Sequence, residues 1–332
     1  MAVSVRDVAL RAGVSLGTVS NVLNSPDKVA PGTAQRVLAA IEELGFVRND
    51  AARQLRAGSS RSIGLLVLDV RNPFFTDVAR GAEERAQEEG LSVLLADSGE
   101  QTDREASHLD LFEEQRVRGL LVTPVGNVGE RLERLRAHGI PVVLVDRLAS
   151  TGGFSSVSVD DVAGGRMAAE HLLAVGRRRL LFVGGPFDLG QVSDRLAGAR
   201  DAVQAVGGAT LDVLEIPSLT MTEGVSAARR LLDGASRPDG VFAANDVVAL
   251  GLLQGVGMLG GLRIPEDLAL VGYDDIDFAA AAAVPITSVR QPRELIGRRA
   301  VELLLAEIDG SGEREQIVFQ PELVVRESTR GR

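Results

Sequence analysis

The chain has 332 residues, 45% of them hydrophobic, and a formal net charge of −10 at pH 7, which is room for two or three compact units with ordinary packed cores. No apolar run approaches the ~20 residues of a membrane span, no charged-then-apolar signal segment opens the chain, and the absence of cysteine excludes disulfides, thiolate metal sites and a cysteine nucleophile. These features describe a soluble cytoplasmic protein with no membrane partner and no cofactor.

The charge is unevenly distributed. Residues 1–62 carry eight Arg and Lys against five Asp and Glu, while the remainder carries 28 against 41. A small basic head on an acidic body suits phosphate neutralisation by the head, with the body limiting non-specific contact.

In chain order, Ser4–Asn24 reads SVRDVALRAGVSLGTVSNVLN. The pattern predicts two short amphipathic helices around a tight Gly13-Val14-Ser15 turn. Ala9 is small enough to let the helices approach, Gly13 tolerates a left-handed turn, and Val19 buries the second helix against the first. Ser4 with Asp7, and Ser15 with Thr18, are placed to cap the helix starts. Such a helix-turn-helix sets its second helix in the DNA major groove, making double-stranded DNA the expected partner; the competing reading is an ordinary helical hairpin. After a turn at Asn24–Asp27, Pro31 opens a third helix that Gly45 closes. Three helices in about 45 residues bury little surface and are marginally stable alone.

Residues 46–62 form a linker. Asn49 or Asp50 can cap a short helix over Ala51–Arg56, which Gly58 would end. About eight residues are too few for a helix to persist in water, and Leu55 would be exposed on it. The segment is expected to fold only on DNA; a flexible tether is the alternative.

From Ser62 the pattern is strand then helix, repeated. Apolar runs occur at 63–68, 91–96, 119–123, 142–145, 180–184, 211–216, 240–243 and 268–272, separated by helical segments. This alternation predicts an α/β core of parallel sheets covered by helices. Ligands of such sheets bind beyond the carboxyl ends of strands. Those ends here, among them Asp69–Phe75, Asp97–Gln101, Asn245-Asp246 and Tyr273–Asp275, are polar. An enzyme is disfavoured: His108, His138 and His171 are scattered with no matching nucleophile or metal cluster, and no phosphate-binding loop is present.

Several segments together, in order, resemble the LacI/GalR family of bacterial transcription regulators: VRDVALRAGVSLGTVSNVLN, AAIEELGFVRNDAARQLR, IGLLVLDVRNPFF, PVVLVDR, SDRLAGAR, AANDVVALG, VGYDD, TSVRQP and LVVREST. The resemblance implies a helix-turn-helix domain at 1–48, a hinge helix and linker at 49–61, and an effector-binding and dimerisation core at 62–332. That core would resemble periplasmic binding proteins. Its N-subdomain would span about 62–158 and 290–317, its C-subdomain about 161–286 and 321–330, with crossings near 158–161, 286–290 and 317–321. It further implies a homodimer on a near-palindromic operator, expected here because the chain stops after LVVREST.

By the same resemblance Leu16, Gly17 and Asn21 face base edges. Leu16 can touch a thymine methyl, and Asn21 can pair with adenine. Ser4, Ser15, Thr18, Ser20 and Asn24 suit phosphate contacts. Asn49, Arg53, Leu55 and Arg56 belong to the hinge, with Leu55 wedged into a central base step. The implied ligand residues are Asn72, Phe74, Asp146, Arg195, Asn245, Asp274 and Gln291, with Asp69 and Phe75 as neighbours. These acids and amides suit a small-molecule effector that is a carbohydrate or polyol rather than an anion. The stacking aromatic common in sugar-binding members is missing at Leu219, and Phe187 or Phe242 would have to replace it. Repressor or activator, and inducer or corepressor, stay open. A solute-binding protein or an enzyme on the same core is the remoter alternative.

Overall fold

The first helix, α1 (Val5–Ala12), is closed at both ends by its own sequence. Ser4 and Asp7 form a reciprocal capping box, and Gly13, at φ 65°, takes the left-handed cap. Ser15 caps α2 (Leu16–Asn24) by accepting the Thr18 N–H at 3.1 Å. Pro31 opens α3 (Pro31–Leu44), and Gly45 at φ 61° ends it. Val8, Ala9, Ala12, Val19, Val22, Val37 and Ala40 form the small core between these helices. The computed structural model describes residues 3–46, 60–126, 129–148, 153–234 and 237–330. It divides the chain into two units, Met1–Ser59 and Ser60–Arg332.

The second unit holds two six-stranded sheets. The first orders its strands β11-β5-β4-β3-β1-β2, all parallel, where β1 is Ser62–Val67, β2 Ser92–Asp97, β3 Leu120–Val122, β4 Val142–Val145, β5 Ser155–Val159 and β11 Gln316–Phe319. The second orders β12-β10-β9-β8-β6-β7, from β6 (Arg179–Gly184), β7 (Thr210–Glu215), β8 (Gly240–Ala243), β9 (Ala269–Asp274), β10 (Thr287–Arg290) and β12 (Glu322–Val324). Only β12 runs antiparallel there.

Side-chain alternation along the first sheet sorts two apolar layers. Ile63, Leu65, Val67, Leu121, Val143 and Val145 join the main core. Leu66, Leu120, Val122, Val142 and Leu144 face the other way, onto Leu109 and Phe112 of α5 (Thr102–Glu114) and Leu132 and Leu135 of α6 (Gly129–Ala137).

The chain passes from the first sheet to the second between Val159 and Asp161, back between Arg290 and Arg293, and over again between Phe319 and Glu322. The segment expected as the second crossing, 286–290, is instead β10, paired to β9 and β12. The strands β5, β10, β11 and β12 lie outside the apolar runs. β5 reads SSVSV yet is buried at all five positions. Its hydroxyls sit where a parallel strand covered on both faces ordinarily carries aliphatic side chains.

Three helix pairs meet through glycines. In α4 (Pro73–Glu88) and α12 (Arg293–Asp309, after the short α11, Asp277–Ala280), a Cβ on Gly81 would lie 2.0 Å from the Glu294 carbonyl oxygen, and one on Gly297 1.9 Å from that of Val78. Gly165 and Gly198 join α7 (Asp161–Ala174) to α8 (Gly190–Ala205) in the same way. Gly224 and Gly251 join α9 (Met221–Asp233) to α10 (Asp246–Leu259).

Candidate functional site

Two sites emerge, one in each unit. In the head, burial of Val19 at 0% and Val22 at 6% turns Leu16, Gly17 and Asn21 of α2 to solvent, with Leu16 48% exposed. The hydroxyls of Ser4 and Ser15 act as helix caps. Ser15 Oγ also lies 2.9 Å from Thr18 Oγ1. Asn24 donates through Nδ2 to the Ser20 carbonyl at 2.9 Å and to its hydroxyl at 3.2 Å. A Cβ on Gly17 would touch only Ser15 Oγ, at 3.7 Å, so packing within the head does not require glycine there. Asn49, Arg53, Leu55 and Arg56 lie outside the described residues.

In the core, parallel pairing in both sheets brings the carboxyl ends of β1, β2, β4, β7, β8 and β9 around one cavity. Asn72, Phe74, Asp146, Arg195, Asn245 and Asp274 line it together with Asp69 and Phe75. Gln291 stands behind that wall and donates through Nε2 to Asp274 Oδ1 at 2.8 Å. Asn72 starts α4, accepting the Phe74 N–H at 3.0 Å, while its Nδ2 reaches Asp274 Oδ2 of the other sheet at 3.1 Å. Asn245 caps α10 by accepting the Val248 N–H at 2.9 Å. For Asn72 and Asn245, then, capping and lining the cavity are compatible roles.

Arg195, 3% exposed, donates through Nε to Asp161 at 2.7 Å and through Nη1 to the Ala244 carbonyl at 2.8 Å. Its guanidinium carbon lies 3.7 Å from the centre of the Tyr273 ring. Burial opposes its charge, but Asp161, Tyr273, Asp274 and Asp146 together outweigh burial and hold it protonated beyond the usual arginine range. Asp146, at φ 55°, accepts from Gln191 Nε2 at 3.0 Å across the cleft. Asp274 sits at φ 101°. Burial raises the pKa of both acids, well above the ordinary value for Asp146, with Asp161 reinforcing it. Asp146 Oδ1 and Gln291 Oε1 are buried acceptors that receive no hydrogen bond from the described residues. Such a cavity suits a ligand rich in hydroxyl donors.

The expected replacements for a stacking aromatic fail. Phe242 is 1% exposed and packs edge-on against Phe182, with ring centres 5.2 Å apart, beneath the cavity floor. Phe187 packs 6.4 Å from Phe182 and does not line the cavity. β8 aims Phe242 into the core, and the turn after β6 lays Phe187 against the same core, partly buried. The aromatic wall is Phe74 and Phe75, in edge contact at 5.0 Å. Leu68, Glu100, Gln191 and Leu219 complete the lining, and sequence reasoning singled out none of the first three. The available signal for Glu100 was its place at a strand end, in Asp97–Gln101.

A model of bacterial regulatory proteins of the lacI family matches residues 4–49, and one of a periplasmic binding protein-like domain matches residues 169–329. The chain is similar to the HTH-type transcriptional regulator CelR of Thermobifida fusca, at 37% identity over 97% of this chain and 96% of that one. Among solved structures it resembles the transcriptional regulator CelR–cellobiose complex, with 33% identity, TM-score 0.72, and coverage of 98% and 99%. It also resembles the lac repressor dimer bound to operator and the anti-inducer ONPF, with 26% identity, TM-score 0.83, and full coverage of both chains.

Proposed function

The chain belongs to the lacI family of bacterial regulatory proteins, and from that premise we propose that it represses transcription as an operator-binding dimer under the control of a small polar effector. One observation carries the reading: a single chain presents an exposed second helix of a helix-turn-helix and an acid- and amide-lined cavity. Leu16 and Asn21 read base edges, one by apolar contact and the other by paired hydrogen bonds. Ser4, Ser15, Thr18, Ser20 and Asn24 settle the head on phosphates. Asn49, Arg53, Leu55 and Arg56 supply the hinge, where Leu55 opens a central base step.

The effector is a carbohydrate or polyol. Asp146, Asp274 and Asn245 match hydroxyls, whereas an anion would meet acid side chains and an arginine already committed to Asp161. The CelR–cellobiose complex is a relative with a sugar bound. Coupling follows from the cross-cleft hydrogen bonds Asn72 to Asp274 and Gln191 to Asp146. A ligand that replaces them alters how the two sheets are held together, and its differential affinity for the two arrangements sets the shift in operator binding.

The test is capture of sheared source-genome DNA on the purified protein, with and without a sugar mixture, followed by sequencing. Retention of a near-palindrome that the mixture releases is the expected outcome and identifies an inducer. Retention only with the mixture would make the sugar a corepressor. No enrichment in either arm overturns the reading.

A further inference from the structure

Glu100 stands at a doorway. It lines the inner cavity, and it also lines an outer recess formed with Gln101, Thr102, Asp103, Val125, Arg147 and Asp188. Its backbone is left-handed at φ 59°, an unusual state for a residue with a side chain. The loop is held there by bonds to the end of β1: Ser98 N–H to the Val67 carbonyl at 3.0 Å and Glu100 N–H to that of Leu68 at 3.2 Å. The side chain is half-buried, and no side chain of the described residues donates a hydrogen bond to it. The cation beside it, Arg71, is engaged by Asp69, with Nε 2.9 Å from Oδ1. The backbone N–H of Leu219, from the opposite side of the cleft, favours the ionised carboxylate.

We propose that Glu100 is a specificity-determining residue of the effector site, whose carboxylate accepts a hydrogen bond from the outward edge of a neutral or amino sugar and rejects a phosphorylated one. The inference rests on the effector reading above. The surrounding charges favour it. Asp69 and Asp97 repel a second negative charge, and Arg71 offsets them only in part. In the recess, Arg147 is opposed by Asp103 and Asp188. An anionic ligand therefore enters through a doorway of excess negative charge, whereas a donor replaces water lost from a buried acid. Burial, with repulsion from Asp69, raises the Glu100 pKa to about 7. Because the ionised form accepts the ligand's hydrogen bond, binding strengthens as pH rises through that value.

The experiment is calorimetric titration of the full-length wild type and E100Q at pH 5.5, 7 and 8.5. The probes are D-ribose, D-galactose, D-glucosamine and cellobiose, each beside D-ribose 5-phosphate. For wild type, the affinity of the sugar that binds should rise up to ~30-fold from pH 5.5 to 8.5, the range set by a single site of pKa near 7. E100Q should flatten that slope and narrow the gap between ribose and its phosphate. A slope that survives in E100Q assigns the proton to Asp146 or Asp274 and overturns the role of Glu100. Equal wild-type binding of the phosphorylated sugar overturns it too. If no probe binds wild type at any pH, the effector reading itself fails, and the proposal falls with it.

Discussion

The guanidinium of Arg195 is buried at 3% exposure and committed on two edges, to Asp161 and to the Ala244 carbonyl, with its flat face against Tyr273. Lysine cannot reproduce a planar fork that makes both bonds while stacking on a ring. Arg195→Ala strands Asp161 in the interior and should cost about 3–5 kcal/mol of stability, the usual penalty for breaking a buried pair. Urea unfolding measures it, and a cost below about 1 kcal/mol would show that the pair adds little to the fold. On the head, Asn21 is exposed and holds no part of the core. Asn21→Ala should leave the melting temperature in place and weaken operator binding by about 1–3 kcal/mol, with specificity relaxed at one base pair. Gel-shift titration against single-base operator variants separates those effects from a general loss of affinity.

At the scale of elements, each glycine-mediated helix pair holds two helices at a distance that admits no Cβ. Overpacking of this kind costs about 1–3 kcal/mol. The pair α7–α8 carries a further consequence, because a Cβ on Gly165 would press on the carbonyl oxygen of Arg195 itself, at 1.9 Å. Gly165→Ala should therefore lose both stability and effector response, while Gly297→Ala, in the pair α4–α12, should lose a similar amount of stability and keep the response. Calorimetric melting together with effector-induced operator release compares the two. Loss of response in both variants would mean that helix spacing acts on the cleft globally. The glycine in α2 has no such constraint. Gly17→Ala should stabilise the head by about 0.5–1 kcal/mol through helix propensity, and chemical denaturation reads that gain directly.

Across the whole molecule, six acids among the described residues are held above their ordinary values chiefly by burial: Glu100, Glu105, Asp146, Asp194, Asp246 and Asp274. In each, the folded value exceeds the unfolded one, so the folded chain keeps its proton to higher pH. Their contribution to stability is full below the ordinary carboxylate range and is lost as pH rises, through about 7 for Glu100. The melting temperature of the unliganded chain should accordingly fall between pH 5 and pH 8. A rise over that window would show these carboxylates already ionised in the fold. The second whole-molecule prediction concerns Leu55, in the linker outside the described residues. Leu55→Ala should weaken operator binding severalfold while sugar binding to the core is unchanged, and paired calorimetric and gel-shift titrations would expose any common defect.

Much of this protein is local chemistry and was legible before folding. The capping box of α1, the Ser15 cap of α2, the left-handed Gly13 and the buried Val19 follow from side chains within a few residues of one another. Eight strands announce themselves as apolar runs; six are buried because both faces of the parallel sheet are covered, whereas the edge strands β2 and β7 are largely exposed. The polar strand ends mark the cleft, since parallel pairing puts every carboxyl end on one rim. What the residues could not show singly is which distant groups meet. Arg195 finds Asp161, 34 positions away, and Asn72 finds Asp274, 202 positions away, only once the sheets are built. Ser-rich β5 and the short β10, β11 and β12 become strands because a neighbour offers them a free edge, not because their own pattern demands it. The same long-range pairing buries Phe242 beneath the cavity, where it cannot stack on a ligand, and brings Glu100 and Gln191 to its wall. Periodicity and capping act over a turn or two of chain, whereas the charge, burial and partners of a cleft residue depend on strands brought together from across the sequence.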